Sequence, residues 1–279
     1  MPNDYDNLMD FAVRTAQRAG GITLEHYGRA AVEFKGDGSE VTAADRASEE
    51  YVRAAVAEAF PEDGLHGEEG AAIESRSGRT WVVDPIDGTR SFASGVPLYG
   101  VLLALDVGGE PVLGCCHFPV LGQTVVAARG AGAWLDGRRV RVSEVDDLSE
   151  ARVVSSGLEY WRDWATDEGR RGFERLVGKC RFARTWGDCF GYIMVATGRA
   201  EILVDPAVGS YWDFAPMVPI LAEAGGRFST LGGGPVGNWS SALATNGRLH
   251  QDAISFWEVE SRGDAAVQTD LILARQPRG

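Results

Sequence analysis

Residues 81–89 read Trp-Val-Val-Asp-Pro-Ile-Asp-Gly-Thr, and this segment constrains the chain more than any other. An apolar strand runs into Asp84, Pro85 removes a ladder N–H, and Asp87-Gly88-Thr89 turns the chain into a new element. Two carboxylates three residues apart at a strand end are crowded. Without a cation, one of them takes up a proton or the turn is strained. A hard divalent cation relieves the crowding, because carboxylate and carbonyl oxygens are its natural ligands. The N–H groups that follow Asp87 point out of the next helical turn, where an anion is stabilised. Taken alone, the segment also reads as a plain Asp-Gly turn that closes a strand.

Further acids occur at two distant points. Gly67-Glu68-Glu69-Gly70 places two carboxylates between glycines just before the same strand, and Tyr211-Trp212-Asp213 places an acid at the opening of an apolar helix. Each has a plainer reading, as a solvated loop and as a helix-terminal acid. The whole chain carries a net charge of -13 over 279 residues, which disfavours nucleic acid and anionic membrane surfaces as partners. The sequence has no Lys/Arg-rich run, so a phosphorylated ligand would draw its positive charge from a bound metal. No apolar run approaches the roughly 18 residues of a membrane span. The first residues, Met-Pro-Asn-Asp-Tyr-Asp, lack the basic start of a secretory signal. Four cysteines without metal-ligand spacing read as reduced thiols in a cytoplasmic protein.

Periodicity predicts a helix over 5–27, loosened at Gly20-Gly21, and a strand or hairpin over 31–41 with a mobile tip at Gly36-Asp37-Gly38. A second helix begins at Thr42, which with Asp45 fits a capping box, and ends at Pro61. Strands are expected at 80–83, 99–105, 111–117 and 124–128, forming an antiparallel sheet with a turn at Asp136-Gly137. Beyond about residue 145 strands and helices alternate: strands at 152–155, 181–184 and 201–204, helices at 167–177, 188–196 and 212–224. This divides the chain into an α+β half, 1–145, with the candidate metal motifs around Glu68 and Asp84, and an α/β half, 146–279. The last fifteen or so residues show no period and are expected to be loosely held.

Gly67-Glu68-Glu69, Asp84-Pro85-Ile86-Asp87-Gly88-Thr89 and Trp212-Asp213, followed by Glu223-Ala224-Gly225-Gly226, resemble in their order the signature segments of the inositol monophosphatase superfamily. The resemblance implies a layered αβαβα sandwich and a magnesium-dependent phosphomonoesterase that uses metal-activated water. It implies two or three Mg2+ ions on Glu68, Asp84, the Ile86 carbonyl, Asp87 and Asp213. Asp45 and Thr89, with Glu68, would orient and activate the attacking water. The amides of Gly88 and Thr89 would hold the phosphate, with Asp87 and Asp213 also facing the substrate. Lys35 would approach from its loop, and the protein would be a homodimer acting on a small phosphorylated metabolite.

The segment Arg184-Thr185-Trp186-Gly187-Asp188-Cys189, with Val204-Asp205-Pro206, is most similar to the histidinol-phosphate phosphatase branch. Asp188 and Asp205 are then candidates to meet the imidazole and ammonium of L-histidinol phosphate. Either acid also suits the hydroxyls of an inositol or sugar phosphate, and Asp188 also reads as a helix cap. A non-catalytic cation-binding protein is the remote alternative; it would not need the Asp45/Thr89 pair.

Overall fold

Small residues at helical spacing bring the first two helices close to a sheet. The computed structural model describes residues 5–29, 33–34 and 40–257. Helix α1 (Asp6–Leu24) buries Ala12, Ala16 and Ala19, and α2 (Ala43–Ala59) buries Val52 and Val56. Gly20 does not loosen α1: a Cβ there would stand 2.7 Å from His117 Cδ2, so the glycine lets the helix lie against the sheet. The expected capping box is present. Thr42 Oγ1 accepts the Ala44 N–H at 3.2 Å, and Asp45 Oδ2 accepts the Thr42 N–H at 2.8 Å.

The short strands β1 (Glu33–Phe34) and β2 (Glu40–Val41) pair antiparallel between the two helices. The loop tip at 36–38, Lys35 and the C-terminal tail beyond 257 lie outside the described residues.

Among the described residues the first sheet has seven strands in chain order: β3 (Gly64–Gly67), β4 (Arg79–Asp87), β5 (Gly100–Val107), β6 (Glu110–Phe118), β7 (Gln123–Ala128), β8 (Gly132–Leu135) and β9 (Arg138–Val140). Strand β3 runs parallel to β4, and each later neighbour pair is antiparallel. Asp136 and Gly137, with φ of 49° and 74°, make the two-residue turn from β8 to β9. Helix α3 (Thr89–Ala93) links β4 to β5.

The second sheet has the order β11-β10-β12-β14-β13, from β10 (Arg152–Val154), β11 (Phe182–Arg184), β12 (Ile202–Asp205), β13 (Arg227–Ser229) and β14 (Ala242–Thr245). Its β10, β11 and β12 are parallel, as the strand–helix alternation predicts, while β14 is antiparallel to both neighbours. The helices here are α4 (Leu158–Asp163), α5 (Asp167–Val177), α6 (Asp188–Ala196), α7 (Tyr211–Phe214), α8 (Met217–Ala224) and α9 (His250–Ile254). The helix expected over 212–224 is therefore two helices. Pro216, at the N-cap of α8, has no N–H to continue the first, and the break leaves Asp213 on its own short turn.

Three apolar layers separate the elements. One lies between α1, α2 and the first sheet, around Trp81, Leu103 and Leu113. The second lies between the two sheets, where Ile193 of α6 and Met217 and Leu221 of α8 meet Leu102, Phe118 and Leu203. The third lies behind the second sheet, around Trp161, Leu176, Ile202 and Trp257. The result is the expected αβαβα sandwich. Cys115, Cys116 and Cys189 are buried, Cys180 is half-buried, and all four thiols are free. Among the described residues no helix is long and apolar enough to cross a membrane.

Candidate metal centre

Pro85 does not stop β4. The strand continues to Asp87 through an irregularity in which Asp84 pairs with Leu102 but Asp87 pairs with Gly100. Three steps on one strand match two on the other, so one extra residue is accommodated as a bulge. This matters because side chains alternate along a strand, and an odd spacing of three would send the two aspartates to opposite faces. The extra residue turns Asp87 back toward Asp84. Proline suits the position, having no N–H to lose from the ladder. The Asp84 carboxylate fixes the bulge locally, its Oδ1 accepting the Ile86 N–H at 2.9 Å.

Asp213 arrives from the second half of the chain. It closes a capping box on α7, its Oδ2 accepting the Ser210 N–H at 2.6 Å. Gly209 must be glycine at this point, because a Cβ there would stand 2.0 Å from Asp213 Oδ2. Asp84, Asp87 and Asp213 thereby each offer an oxygen within 4.8 Å of the others.

The electrostatics record the crowding. Burial pushes the Asp84 carboxyl well above the usual carboxylate range, and the charges of Glu68, Asp87 and Asp213 push it further. Burial raises Asp87 as well, followed by the charges of Asp188 and Asp213. Asp213 is pushed up to about 7, first by burial and then by Glu68. Asp84 is 1% exposed, whereas Asp87 and Asp213 keep part of their surface open to a ligand. Among the described residues no ion pair involves Asp84, Asp87 or Asp213. A cluster of hard oxygen donors that has no cationic partner among the described residues and resists ionisation fits a divalent cation, which would replace the protons.

The other expected site residues take the following positions. Glu68 follows β3 and stands outside the tight trio, yet acts electrostatically on both Asp84 and Asp213. The Ile86 carbonyl accepts the Thr89 hydroxyl at 3.2 Å. Gly88, with φ of 84°, is the N-cap of α3, so Gly88 and Thr89 open that helix next to the bulge. Asp45 is buried at the start of α2, and burial raises its carboxyl. Asp188 begins α6 and comes to the mouth of the site: a Cβ on Gly88 would lie 3.4 Å from Asp188 Oδ2.

Asp205 is placed one step behind Asp188 and is 3% exposed. Its Oδ1 accepts the Ser155 hydroxyl at 2.8 Å and the Ser156 N–H at 2.7 Å, and its Oδ2 accepts the Ser156 hydroxyl at 2.6 Å. The Ser156 Oγ in turn accepts the Asp188 N–H at 2.8 Å. Burial pushes the Asp205 carboxyl up to about 7 despite these bonds. The sequence reading did not single out Ser155, Ser156 or the Cys189 amide, which donates to Asp87 Oδ2 at 2.6 Å. None carries a spacing signal of its own, since each acts through a contact between segments far apart in sequence.

An acid cluster set where the bulged end of β4 meets the short helix α7 packed against the same sheet, beside the first turn of α3, is what a metal-dependent hydrolase of phosphate esters requires. Comparison with known proteins narrows the class. The inositol monophosphatase family model matches residues 4–260, and the chain belongs to that family. It is 44% identical over 220 residues to the histidinol-phosphatase of Chlorobaculum parvum, covering 78% of this chain and 83% of that one. It is 38% identical over 257 residues to the histidinol-phosphatase of Mycobacterium tuberculosis, covering 90% and 97%. The crystal structure of the extragenic suppressor protein suhB of Bartonella henselae superposes with a TM-score of 0.84 at 25% identity, covering 91% and 100%. The chain is a phosphoric monoester hydrolase of a metal-dependent family.

Proposed function

We propose that the chain hydrolyses L-histidinol phosphate to L-histidinol and inorganic phosphate, with two or three Mg2+ ions held by Glu68, Asp84, the Ile86 carbonyl, Asp87 and Asp213. Bound there, the metal would neutralise the phosphate oxygens, assist the leaving alkoxide and acidify the attacking water. The remaining work falls to the chain. The first-turn N–H groups at Gly88 and Thr89, which have no partner within a helix, hold the phosphate. Asp45, whose carboxyl burial has raised, is suited to take a proton from the water that Thr89 orients. As the water's proton passes to Asp45 its oxygen bonds to phosphorus, the ester P–O bond breaks, and the departing alkoxide takes a proton from solvent water while Asp45 returns its own to solvent.

The observation that carries the substrate reading is the Asp188 carboxylate beside Gly88. A phosphate held at Gly88 and Thr89 brings its organic group past this acid, and a cationic amine or imidazolium gains a charge-assisted contact there. Asp205 supports that acid through Ser156. The reading agrees with the activity for which the Chlorobaculum and Mycobacterium relatives are named. In this account the 1–145 half supplies most metal ligands and the 146–279 half selects the substrate, while contributing Asp213 to the metals. The reading includes a cytoplasmic homodimer, as the family resemblance implies.

The test is a panel of histidinol phosphate, inositol phosphate, fructose bisphosphate and a nucleotide phosphate, each assayed for phosphate release in magnesium. The highest kcat/KM is expected for histidinol phosphate. A preference for inositol phosphate would replace this reading with the sugar-phosphate one.

A further inference from the structure

The glycines that flank Glu68 and Glu69 are explained by two side chains of α2. Glu49 lies one helical turn after Asp45 and is 1% exposed. Its Oε2 accepts the Glu69 N–H at 2.7 Å, and its Oε1 accepts the Gly70 N–H at 2.9 Å. Arg53, one turn further on, donates its Nε–H to Glu49 Oε1 at 2.8 Å and its Nη1–H to the Ala71 carbonyl at 2.8 Å. Three consecutive residues, 69 to 71, are thus gripped directly after Glu68. The fit leaves no room for a Cβ on either side. One on Gly67 would stand 2.4 Å from Glu49 Oε1, and one on Gly70 would stand 2.6 Å from Arg53 Nη2.

A buried carboxylate is costly unless its oxygens are filled by donors. Here three donors converge on Glu49, two of them backbone N–H groups of the loop that carries Glu68. An uncharged packing residue would close the same space without gripping the backbone. We propose that Glu49, held by Arg53, is a positioning residue for Glu68: it fixes the peptide that follows this ligand and thereby sets the affinity of the metal site. The inference rests on Glu68 being a metal ligand, as proposed above. Partners that orient a ligand in this way typically change metal affinity by about 10–100-fold when removed.

The test is calorimetric titration of the metal-stripped full-length protein with MgCl2 and with MnCl2, without substrate. Glu49→Gln keeps the shape but replaces one acceptor oxygen with a donor NH2, so one loop amide loses its partner. The expected result is a Kd for metal raised about tenfold. The metal-free melting temperature should fall by several degrees, because a buried amide is left unpaired, and kcat should recover at saturating magnesium. An unchanged Kd in a folded Glu49→Gln overturns the proposal. Should that variant fail to fold, Arg53→Lys removes the fork while leaving the Glu49 charge. It should raise the Kd by a smaller factor, about threefold on the same scale, and an unchanged Kd there overturns the proposal equally. Glu68→Gln in the same titration separates the premise from the inference. If it binds metal as wild type does, the ligand role of Glu68 fails, whereas a loss in Glu68→Gln without one in Glu49→Gln defeats only the positioning role.

Discussion

The N–H of Cys189 donates to Asp87 Oδ2 at 2.6 Å, so the first turn of α6 holds an acid that stands at the end of β4. The bond joins segments about a hundred residues apart and fixes the rotation of the Asp87 carboxylate. It also lowers the Asp87 carboxyl, against the larger rise from burial and from the Asp188 and Asp213 charges. A helix N-terminus favours the ionised form for the same reason that it favours any anion. Helix α6 is thus tied to the end of β4 at the point where the metal is expected, beside Asp84 and Asp213.

Asp84→Asn should therefore have two opposite effects. It removes a charged ligand, and phosphatase activity in magnesium should fall by at least about a thousandfold. It also removes a buried carboxyl whose ionisation the fold resists. The sign follows from linkage. A carboxyl raised in the folded state ionises first in the unfolded chain, so stability is lost as pH rises above the ordinary carboxylate range. Without metal at pH 8, Asp84→Asn should melt a few degrees above wild type, on the scale of about 2–4 °C per kcal/mol. Added magnesium should stabilise wild type and leave the variant unmoved. Melting curves with chelator and with magnesium check both halves; near-normal activity would remove Asp84 from the ligand set.

Thr89→Ala should depress turnover by about 10²–10⁴-fold, the range for losing a group that assists proton transfer, while metal binding persists. The hydroxyl's bond to the Ile86 carbonyl supplies the competing outcome. If metal affinity falls in parallel with turnover, Thr89 acts by holding that carbonyl and not by orienting water. Metal titration beside steady-state kinetics distinguishes the two.

Metal binding should strengthen with pH. Asp213 is raised to about 7 and Asp84 and Asp87 are raised as well, so protons compete for the site in the metal-free protein. Below about pH 7 a cation must displace a proton from Asp213; above it, that competition fades. Magnesium titrated at pH 6 should bind several-fold more weakly than at pH 8. Calorimetry in buffers of different ionisation heat should show proton release at pH 6 that diminishes by pH 8. Equal affinity at the two values would mean that the cluster is already ionised.

Much of this arrangement was legible in the sequence. The amphipathic helices, the long strands of the first sheet and the three acidic motifs stand out because each is local: a periodicity, a capping box, or a proline between two aspartates. Gly64–Gly67 was missed as a strand because it has four residues, two of them glycine. The break before Met217 was missed because the apolar spacing runs on through Pro216. The bulge at Pro85-Ile86 was read as a strand end, since only the register against Leu102 and Gly100 reveals that the strand continues. The grip of Glu49 on 69–70 and the path from Asp205 through Ser156 to Asp188 were not legible at all. Both depend on which distant segments the two sheets bring together, and no spacing along the chain encodes that.

That path also reshapes what a specificity experiment should find. Asp188 stands beside Gly88, where the organic part of a bound phosphate ester would pass, whereas Asp205 has its oxygens engaged by Ser155 and Ser156. A charge-assisted contact from Asp188 to a substrate cation is worth roughly 1.5–3 kcal/mol, or about ten- to a hundredfold. Asp188→Asn should lower the ratio of kcat/KM for histidinol phosphate over glycerol phosphate by that factor. The ratio cancels general damage to the metal site, because glycerol phosphate presents no cation. Asp205→Asn should lower it less, since it acts through Ser156 and leaves the Asp188 charge in place. The two substitutions together should then lose little more than Asp188→Asn alone, because residues that share one chain of hydrogen bonds are not additive. Measuring the ratio in all three variants decides the order of the chain. If Asp205→Asn carries the larger loss, Asp205 itself meets the cation, and Ser155 and Ser156 must release it when substrate binds.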